Sequence, residues 1–299
     1  MSNERQQRLK QRLENMEEMP TIPVVLVPLL RYLEQPLDAL DLQQVVDLIS
    51  QDKSLAAQCL HMANSPLYGR WTPVDNIRNA VVALGMQRMR DIAVSCSVLT
   101  LTPRGGMSID PSVFWEHSLG CALVCRQFAQ EIAFPDPAKA YLAGLLHDIG
   151  LVAELCVVPE EFQVAFEQAR RLGIPLHAAE ATTLGLTHCD SGKIVAEKWH
   201  LSADLVAVAG CHHDPRSAHK HRELVALVSL SDLLCRMSGL GYGYVEECQV
   251  NFIEEPGFAL LLEECPALKT FDWARFTFEL EAYMEEVHRL VELLYRVPQ

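Results

Sequence analysis

The stretch that decides the fold is AYLAGLLHDIGLVAEL, residues 140–155, which is apolar at almost every position. An apolar pattern on all faces predicts a helix buried inside a protein rather than one that lies on its surface. His147 and Asp148 nevertheless stand in the middle of this stretch. Burial of an unpaired carboxylate is strongly unfavourable, so these two side chains must pair, bond to the backbone or bind a cation.

Polar interruptions of the same kind occur in four other apolar segments. They are His117, His188, the pair His212-His213, and Asp232. Imidazole and carboxylate groups together are good ligands for Zn, Mn, Fe or Ni, and helices can present them rigidly into one cavity. The recurrence predicts a buried metal site, and the alternative is a metal-free network of hydrogen bonds. Cys121 and Cys125 lie one helical turn apart, so metal binding by these two thiols is a further alternative.

Composition limits the classes of function. The 299 residues include 25 basic and 39 acidic side chains, a net charge of −14, which disfavours non-specific nucleic-acid binding. Hydrophobic residues make up 49% and charged residues 21%, as in ordinary globular proteins. The sequence has no apolar run of about 18 residues and no C-x-x-C pair among its cysteines. We therefore expect no membrane association, free thiols and a cytoplasmic location.

Helical periodicity runs through most of the chain and predicts an all-α fold. Residues 1–18 form a leading helix, residues 19–104 an N-terminal helical lobe, and residues 107–237 a second lobe that carries the candidate ligands. Residues 252–299 form a C-terminal helical extension that packs on the body or forms a dimer contact. Glycine and proline at residues 102–106 mark the boundary between the lobes. Residues 137–158 and residues 175–199 each read as one continuous helical segment.

The order of these polar residues resembles a known signature. His117, then His147-Asp148, then Asp232 is similar to the H…HD…D pattern of the HD superfamily of helical metal-dependent phosphohydrolases. The wider sequence is closest to the HDOD family, the HD-related output domains of bacterial signalling. The segments that carry this resemblance are residues 19–23 (MPTIP), 49–55 (ISQDKSL), 63–68 (ANSPLY), 83–85 (ALG) and 143–150 (AGLLHDIG).

The resemblance implies an N-terminal helical lobe packed on an HD-like lobe. It also implies that His188, His212 and His213 supply the additional ligands of a dinuclear centre, with one or two divalent transition-metal ions in total. Many HDOD domains have lost such ligands and are regulatory.

This chain departs from the HD-type enzymes that hydrolyse cyclic di-GMP. Leu151 stands where their HDIGK motif has lysine, and Val113 stands where dinuclear relatives can have a glutamate ligand. No Gly-Tyr-Pro motif follows His213, and the pair Gly241-Tyr242 comes after Asp232, in the wrong place to replace it.

Two functions follow from this reading. The first is a regulatory module that keeps a bound metal, and the alternative is a metal-dependent phosphohydrolase acting on a nucleotide or phosphodiester. In the enzyme, Asp148 would be the catalytic bridging ligand, and Lys193 and Arg216 would contact the phosphate. The expected partner is a signalling protein or a small phosphate ligand. Formation of a homodimer is a further alternative.

Overall fold

The fold is described from a computed structural model. It describes residues 3–15, 26–33, 35, 39, 41–64, 73–99, 101, 109–247 and 250–295. These ranges contain sixteen α-helices and no strand, which confirms the all-α prediction. The helices, numbered in chain order, are α1 (Asn3–Asn15), α2 (Leu26–Leu33), α3 (Leu42–Ser50), α4 (Lys53–Ala63), α5 (Ile77–Leu84), α6 (Met86–Leu99), α7 (Pro111–Glu131), α8 (Pro137–Leu146), α9 (Ile149–Val157), α10 (Pro159–Leu172), α11 (Leu176–Thr183), α12 (His188–Lys198), α13 (Ala203–Cys211), α14 (Arg222–Met237), α15 (Pro256–Glu264) and α16 (Trp273–Tyr295).

Several predicted features lie outside the described residues. They are the segment at residues 19–23, most of the segment at residues 63–68, and the lobe boundary at residues 102–106.

The chain divides into two compact units. One comprises Met1–Pro20 and Pro103–Tyr283, and the other comprises Thr21–Thr102 and Met284–Gln299. All candidate ligands belong to the first unit, whose centre is formed by α7, α8, α9, α12, α13 and α14. In the second unit, α6 packs against α2, α4 and α5.

Helix starts follow the local sequence. The Asp41 carboxylate accepts a hydrogen bond from the Gln44 backbone N–H at 3.0 Å and so caps α3. Asp52 caps α4 in the same way, and its carboxylate accepts from the N–H groups of Ser54 and Leu55. Short polar caps therefore define these boundaries as the sequence predicts.

The prediction of one continuous helix over residues 137–158 is wrong. The chain leaves α8 after Leu146, and α9 begins at Ile149, with His147 and Asp148 at the junction. Asp148 occupies the N-cap position of α9, yet its carboxylate makes no capping hydrogen bond. The break frees both side chains to point into the interior, where the other candidate ligands lie. Residues 175–199 also form two helices, α11 and α12, with Gly185 in left-handed geometry (φ 75°) between them.

A backbone contact brings α9 against α12. A Cβ atom added at Gly150 would overlap the carbonyl of His188 and lie 2.6 Å from the backbone nitrogen of Gly192. Only glycine permits this approach. The contact holds the start of α9, next to Asp148, close to the start of α12, at His188.

One stretch of the described chain, Pro137–Val157, is long and apolar enough to cross a membrane by length and composition. Within it, 94% of the apolar window is buried inside the protein. The stretch is thus packed as a core element of the first unit.

Candidate metal centre

Five structural elements bring the seven predicted ligands together. His117 lies on α7, His147 and Asp148 lie at the α8–α9 junction, and His188 is the first residue of α12. His212 and His213 follow the last turn of α13, and Asp232 lies on α14. All are buried to within 1% exposure except His213, whose side chain is 10% exposed. The polar interruptions of five apolar segments therefore converge on one interior point.

One side of the cluster contains His117, His147, Asp148 and Asp232, and we call it the first group. The His117 Nε2 atom lies 3.2 Å from His147 Nε2 and 3.3 Å from both Asp148 Oδ2 and Asp232 Oδ1. The His147 Nε2 atom lies 3.3 Å from Asp148 Oδ2 and 4.0 Å from Asp232 Oδ1. The four donor atoms thus face one another around a common centre.

The other side contains Asp148, His188, His212 and His213, and we call it the second group. The Nε2 atoms of His188 and His212 each lie 3.4 Å from Asp148 Oδ1 and 3.3 Å from each other. The His213 Nε2 atom lies 3.0 Å from His188 Nε2. Asp148 therefore offers Oδ2 to the first group and Oδ1 to the second, as a carboxylate that bridges two ions does.

The second nitrogen of each ring fixes the tautomer. The Nδ1 atom of His117 lies 2.6 Å from the Leu240 carbonyl, and that of His147 lies 2.7 Å from the Gly144 carbonyl. A carbonyl only accepts, so Nδ1 must carry the proton and Nε2 presents a lone pair to the cluster. His212 Nδ1 lies 3.1 Å from the Val208 carbonyl and follows the same rule.

These lone pairs test whether the residues fit a metal. Nε2 atoms of neighbouring rings that lie 3.0–3.3 Å apart need either a shared proton or a metal cation between them. Asp148 Oδ1 is buried and has no hydrogen-bond partner among the described residues. An orphaned carboxylate oxygen that faces three imidazole nitrogens fits a transition-metal ion.

Protonation in the absence of metal follows from the same contacts. Burial alone would lower the pKa of His117, but hydrogen bonds to Asp148 and Asp232 outweigh it and raise the pKa well above its usual value. Burial also opposes the charged form of His188, yet the charge and hydrogen bond of Glu180 raise its pKa to about 9. Burial and the neighbouring imidazoles lower the pKa of His213 well below its usual value. A metal ion must therefore displace protons mainly from His117 and His188.

Both carboxylates stay ionised despite their burial. Burial would raise the pKa of Asp148, but the attraction of His147 and the hydrogen bond of His117 hold it well below the usual range. Burial is likewise outweighed at Asp232, where the Arg236 guanidinium holds the pKa well below its usual value. The cluster therefore presents two negative charges to a cation.

Arg236 holds Asp232 in place through hydrogen bonds to its carboxylate. Its guanidinium donates to Asp232 Oδ1 and Oδ2 at 3.0–3.2 Å, and its Nη1 donates to Glu246 at 2.6 Å. Arg236 and Glu246 also line a pocket of about 540 Å³ together with three glycines of the loop after α14. The Arg236 guanidinium is thus already paired with two carboxylates.

Glu180 does the same for His188. Its Oε2 atom accepts from both the backbone N–H and the Nδ1–H of His188, each at 2.8 Å. Such a carboxylate–imidazole pair orients a ligand and increases its basicity. Nearby, Ser191 donates to the buried Glu154 at 2.7 Å. Burial and the charge of Glu180 raise the pKa of Glu154 well above its usual value.

The other predicted residues are not among the donor atoms that face one another in the cluster. Lys193 and Arg216 are exposed, whereas the cluster is buried. Cys121 and Cys125 are buried with their Sγ atoms 3.9 Å apart, next to Gly144.

The sequence reasoning missed Tyr242, Glu180 and Arg236. Tyr242 was set aside because its Gly-Tyr pair falls in the wrong place in the sequence, but its hydroxyl donates a hydrogen bond to Asp148 Oδ2. Arg236 could have been found, since it lies one helical turn after Asp232.

Comparison with known proteins supports one family. The HDOD domain matches residues 19–215. A crystal structure of an HDOD domain protein of unknown function from Geobacter sulfurreducens superimposes with a TM-score of 0.83 at 27% identity and covers 98% of this chain and 99% of that one. A candidate phosphohydrolase from Shewanella amazonensis shares the fold with a TM-score of 0.71 at 22% identity, over 95% of this chain and 97% of that one.

A curated relative extends the match to a longer protein. An uncharacterized protein of Treponema pallidum is 23% identical over 227 residues, which are 75% of this chain and 43% of the relative. The chain thus spans less than half the length of that relative.

Proposed function

The chain belongs to the HDOD family, and from that premise we propose that it is a bacterial signal-transduction module whose buried cluster binds one or two transition-metal ions. The observation that carries the proposal is the position of Asp148. Its two carboxylate oxygens serve two separate sets of imidazole nitrogens, and one of these oxygens has no other partner among the described residues. A metal-free network can share protons between the facing Nε2 atoms, but it leaves this Asp148 oxygen without a hydrogen bond.

Burial favours regulation over catalysis. Structural metal sites are closed by protein ligands, whereas catalytic sites keep a position open to water or substrate. Six of the seven ligands are almost fully buried, and Tyr242 lies against the first group. Hydrolysis of a phosphoester also needs cationic groups around the phosphate. Arg236 is engaged by Asp232 and Glu246, and Lys193 and Arg216 are exposed.

We extend the proposal to location and partner. The described cysteines are all free thiols, which suits a reducing cytoplasm. The partner we propose is another signalling protein or a small phosphate ligand, and self-association as a homodimer belongs to the same proposal.

Active phosphohydrolysis is the second candidate. A carboxylate that bridges two sets of ligands is also the arrangement of two-metal hydrolases, and His213 gives the second group its one partly exposed ligand. In that case the ions would activate water and neutralise phosphate oxygens, and Asp148 would hold the two ions together.

Elemental analysis tests the metal. The protein is purified without added metal, and transition-metal ions are counted per chain for wild type, His147→Ala and a matched control, His61→Ala, which changes an exposed histidine in the other unit. We expect at least one ion per chain in wild type and control, and a clear loss in His147→Ala. A value near zero in wild type that persists after reconstitution would overturn the proposal.

Hydrolysis is tested separately. Wild type and His147→Ala are assayed with a generic chromogenic phosphodiester, mononucleotides and cyclic dinucleotides, with and without added Mn²⁺. The regulatory proposal predicts no metal-dependent turnover. Turnover in wild type that His147→Ala abolishes would favour the enzyme instead.

A further inference from the structure

Two buried carboxyl groups behind the second group of ligands each leave one oxygen unexplained. Glu154 lies on α9 and Glu180 lies on α11, and both side chains are fully buried. Glu154 Oε2 and Glu180 Oε1 have no hydrogen-bond partner among the described residues. Buried polar atoms in folded proteins are almost always hydrogen-bonded, so each of these two oxygens requires a partner.

Both carboxyl groups contact the same turn of α12. Ser191 Oγ donates to Glu154 Oε1 at 2.7 Å, and His188 donates to Glu180 Oε2 from its backbone N–H and from Nδ1, each at 2.8 Å. His188 and Ser191 are three residues apart on one helix, a spacing that places their Cβ atoms about 5–6 Å apart. The carboxyl groups that they bind are therefore neighbours, and the strongest charge acting on Glu154 is that of Glu180.

One proton between these two carboxyl groups accounts for both unexplained oxygens. Two negative charges side by side in a buried, weakly screened place repel each other strongly. A protonated carboxyl group has no negative charge and donates one hydrogen bond, which a neighbouring carboxylate oxygen accepts. Such a bond between an acid and a carboxylate is short and strong.

The contacts of the two side chains indicate which of them carries the proton. Glu180 accepts two hydrogen bonds from His188, and hydrogen bonds to the charged form of a carboxyl group favour that form. Glu154 accepts its hydrogen bond from the neutral hydroxyl of Ser191. Burial and the charge of Glu180 also raise the pKa of Glu154 well above its usual value. Glu154 is therefore the acid and Glu180 the carboxylate.

We propose that Glu154 is protonated and donates a hydrogen bond from Oε2 to Glu180 Oε1, and that it thereby acts as a positioning residue for His188. Glu180 then accepts three hydrogen bonds, two from His188 and one from Glu154, which fix the plane of its carboxylate. The His188 ring is held in turn, with Nε2 3.4 Å from Asp148 Oδ1. The proton is expected with or without metal, whereas the effect on the second ion rests on the proposed function.

Infrared difference spectroscopy of the metal-free full chain tests the proton directly. A protonated carboxyl group has a C=O stretching band that is separate from the carboxylate bands and shifts in D₂O. At pH 7.5 exposed carboxyl groups are ionised, so wild type should show this band and Glu154→Gln should lose it. The matched control, Glu197→Gln on the exposed face of α12, should keep it. Absence of the band from wild type, or an unchanged band in Glu154→Gln, would overturn the proposal.

Chelator competition for Zn²⁺ tests the positioning role. Glu154→Gln keeps an oxygen for Ser191 and replaces the O–H donor with an N–H donor, so its affinity for the second ion should equal that of wild type. Glu154→Leu has no donor for Glu180 and should lose about 10–100-fold in affinity at the second group. Weakened binding in Glu154→Gln, or full affinity in a folded Glu154→Leu, would contradict the positioning role.

The two measurements also separate this proposal from the proposed function. If Glu154→Leu does not fold, the infrared band and the affinity of Glu154→Gln decide the matter. Failure of wild type to bind Zn²⁺ would overturn the proposed function and the role of Glu154 in positioning a ligand. The infrared band would still show whether Glu154 is protonated.

Discussion

The two groups share Asp148 but differ in what surrounds them. In the first group, every ligand has a partner outside the group: His117 the Leu240 carbonyl, His147 the Gly144 carbonyl, Asp232 the Arg236 guanidinium, and Asp148 the Tyr242 hydroxyl. The second group has three imidazoles, and one of them, His213, reaches the surface, where His177 stacks on it with ring centroids 4.0 Å apart. If both groups bind an ion, as proposed, the contrast predicts that the ion in the first group exchanges more slowly than the ion in the second.

Removal of the shared carboxylate should have the largest effect. Asp148→Ala takes a donor from both groups and leaves buried imidazoles without their anionic partner, so we expect loss of all bound metal. Breaking a buried ion pair costs about 3–5 kcal/mol of stability. Metal content and urea denaturation measure the two effects. The exposed control Asp214→Ala should change neither. Full metal content in Asp148→Ala would contradict the bridging role.

Single imidazole variants should separate the groups. His213→Ala should cost mainly the second ion, because His213 Nε2 lies 3.0 Å from His188 Nε2 and its one contact with the first group is a 3.7 Å approach to Asp232. His117→Ala should cost the first ion and should destabilise the fold more. Metal content after brief dialysis against a chelator measures the loss of each ion, and urea denaturation measures the loss of stability. The exposed His219→Ala serves as the control. Equal losses in the two variants would remove the distinction between a slowly and a rapidly exchanging ion.

Loss of the negative charge of Glu180 should lower the metal affinity of the second group alone. Glu180→Gln keeps an acceptor for His188 Nδ1 but removes its negative charge, and changes of this kind typically cost about 10–100-fold in metal affinity. Chelator competition should show this loss for one of two ions. The control is Glu197→Gln on the exposed face of α12. An unchanged second affinity would mean that Glu180 only packs against His188.

The pH dependence should have opposite signs with and without metal. Because the pKa of His117 is raised and that of His188 is about 9, metal displaces protons, and affinity should rise about tenfold per pH unit for each proton displaced. The stability of the metal-free protein should change in the opposite direction and fall as the pH rises. The stabilisation from protonated His188 is complete below its ordinary pKa of 6.5 and is lost as pH rises through about 9. Chelator competition and denaturation at pH 6.5, 7.5 and 8.5 measure both trends.

Much of the fold is readable from sequence because its signals are local. Asp41 capping the helix Leu42–Ser50, and the helix Arg222–Met237, follow from caps and apolar periodicity. The break at His147 and Asp148 is not local. Both sides of it are apolar and helical in pattern, and the two side chains at the break contact ligands from distant segments.

The candidate ligands can be predicted from the sequence for a related reason. A polar side chain inside an apolar helix is an exception that requires an explanation, and His117, His188 and Asp232 all show it. Tyr242 gives no such signal, since tyrosine in a glycine-rich loop is ordinary. Glu154 does give the signal, and it lies within the same apolar stretch as Asp148, but its partner Ser191 is 37 residues away.

Gly150 bears on how such a centre changes during evolution. Any side chain there would collide with the His188 backbone, so a substitution forces α12 away from α9 and carries His188 away from Asp148. A lineage that acquires alanine at this position would lose the spacing of the second group before it loses the helical fold. A methyl group at this position would thus remove the geometry proposed to bind metal while the helices stay in place.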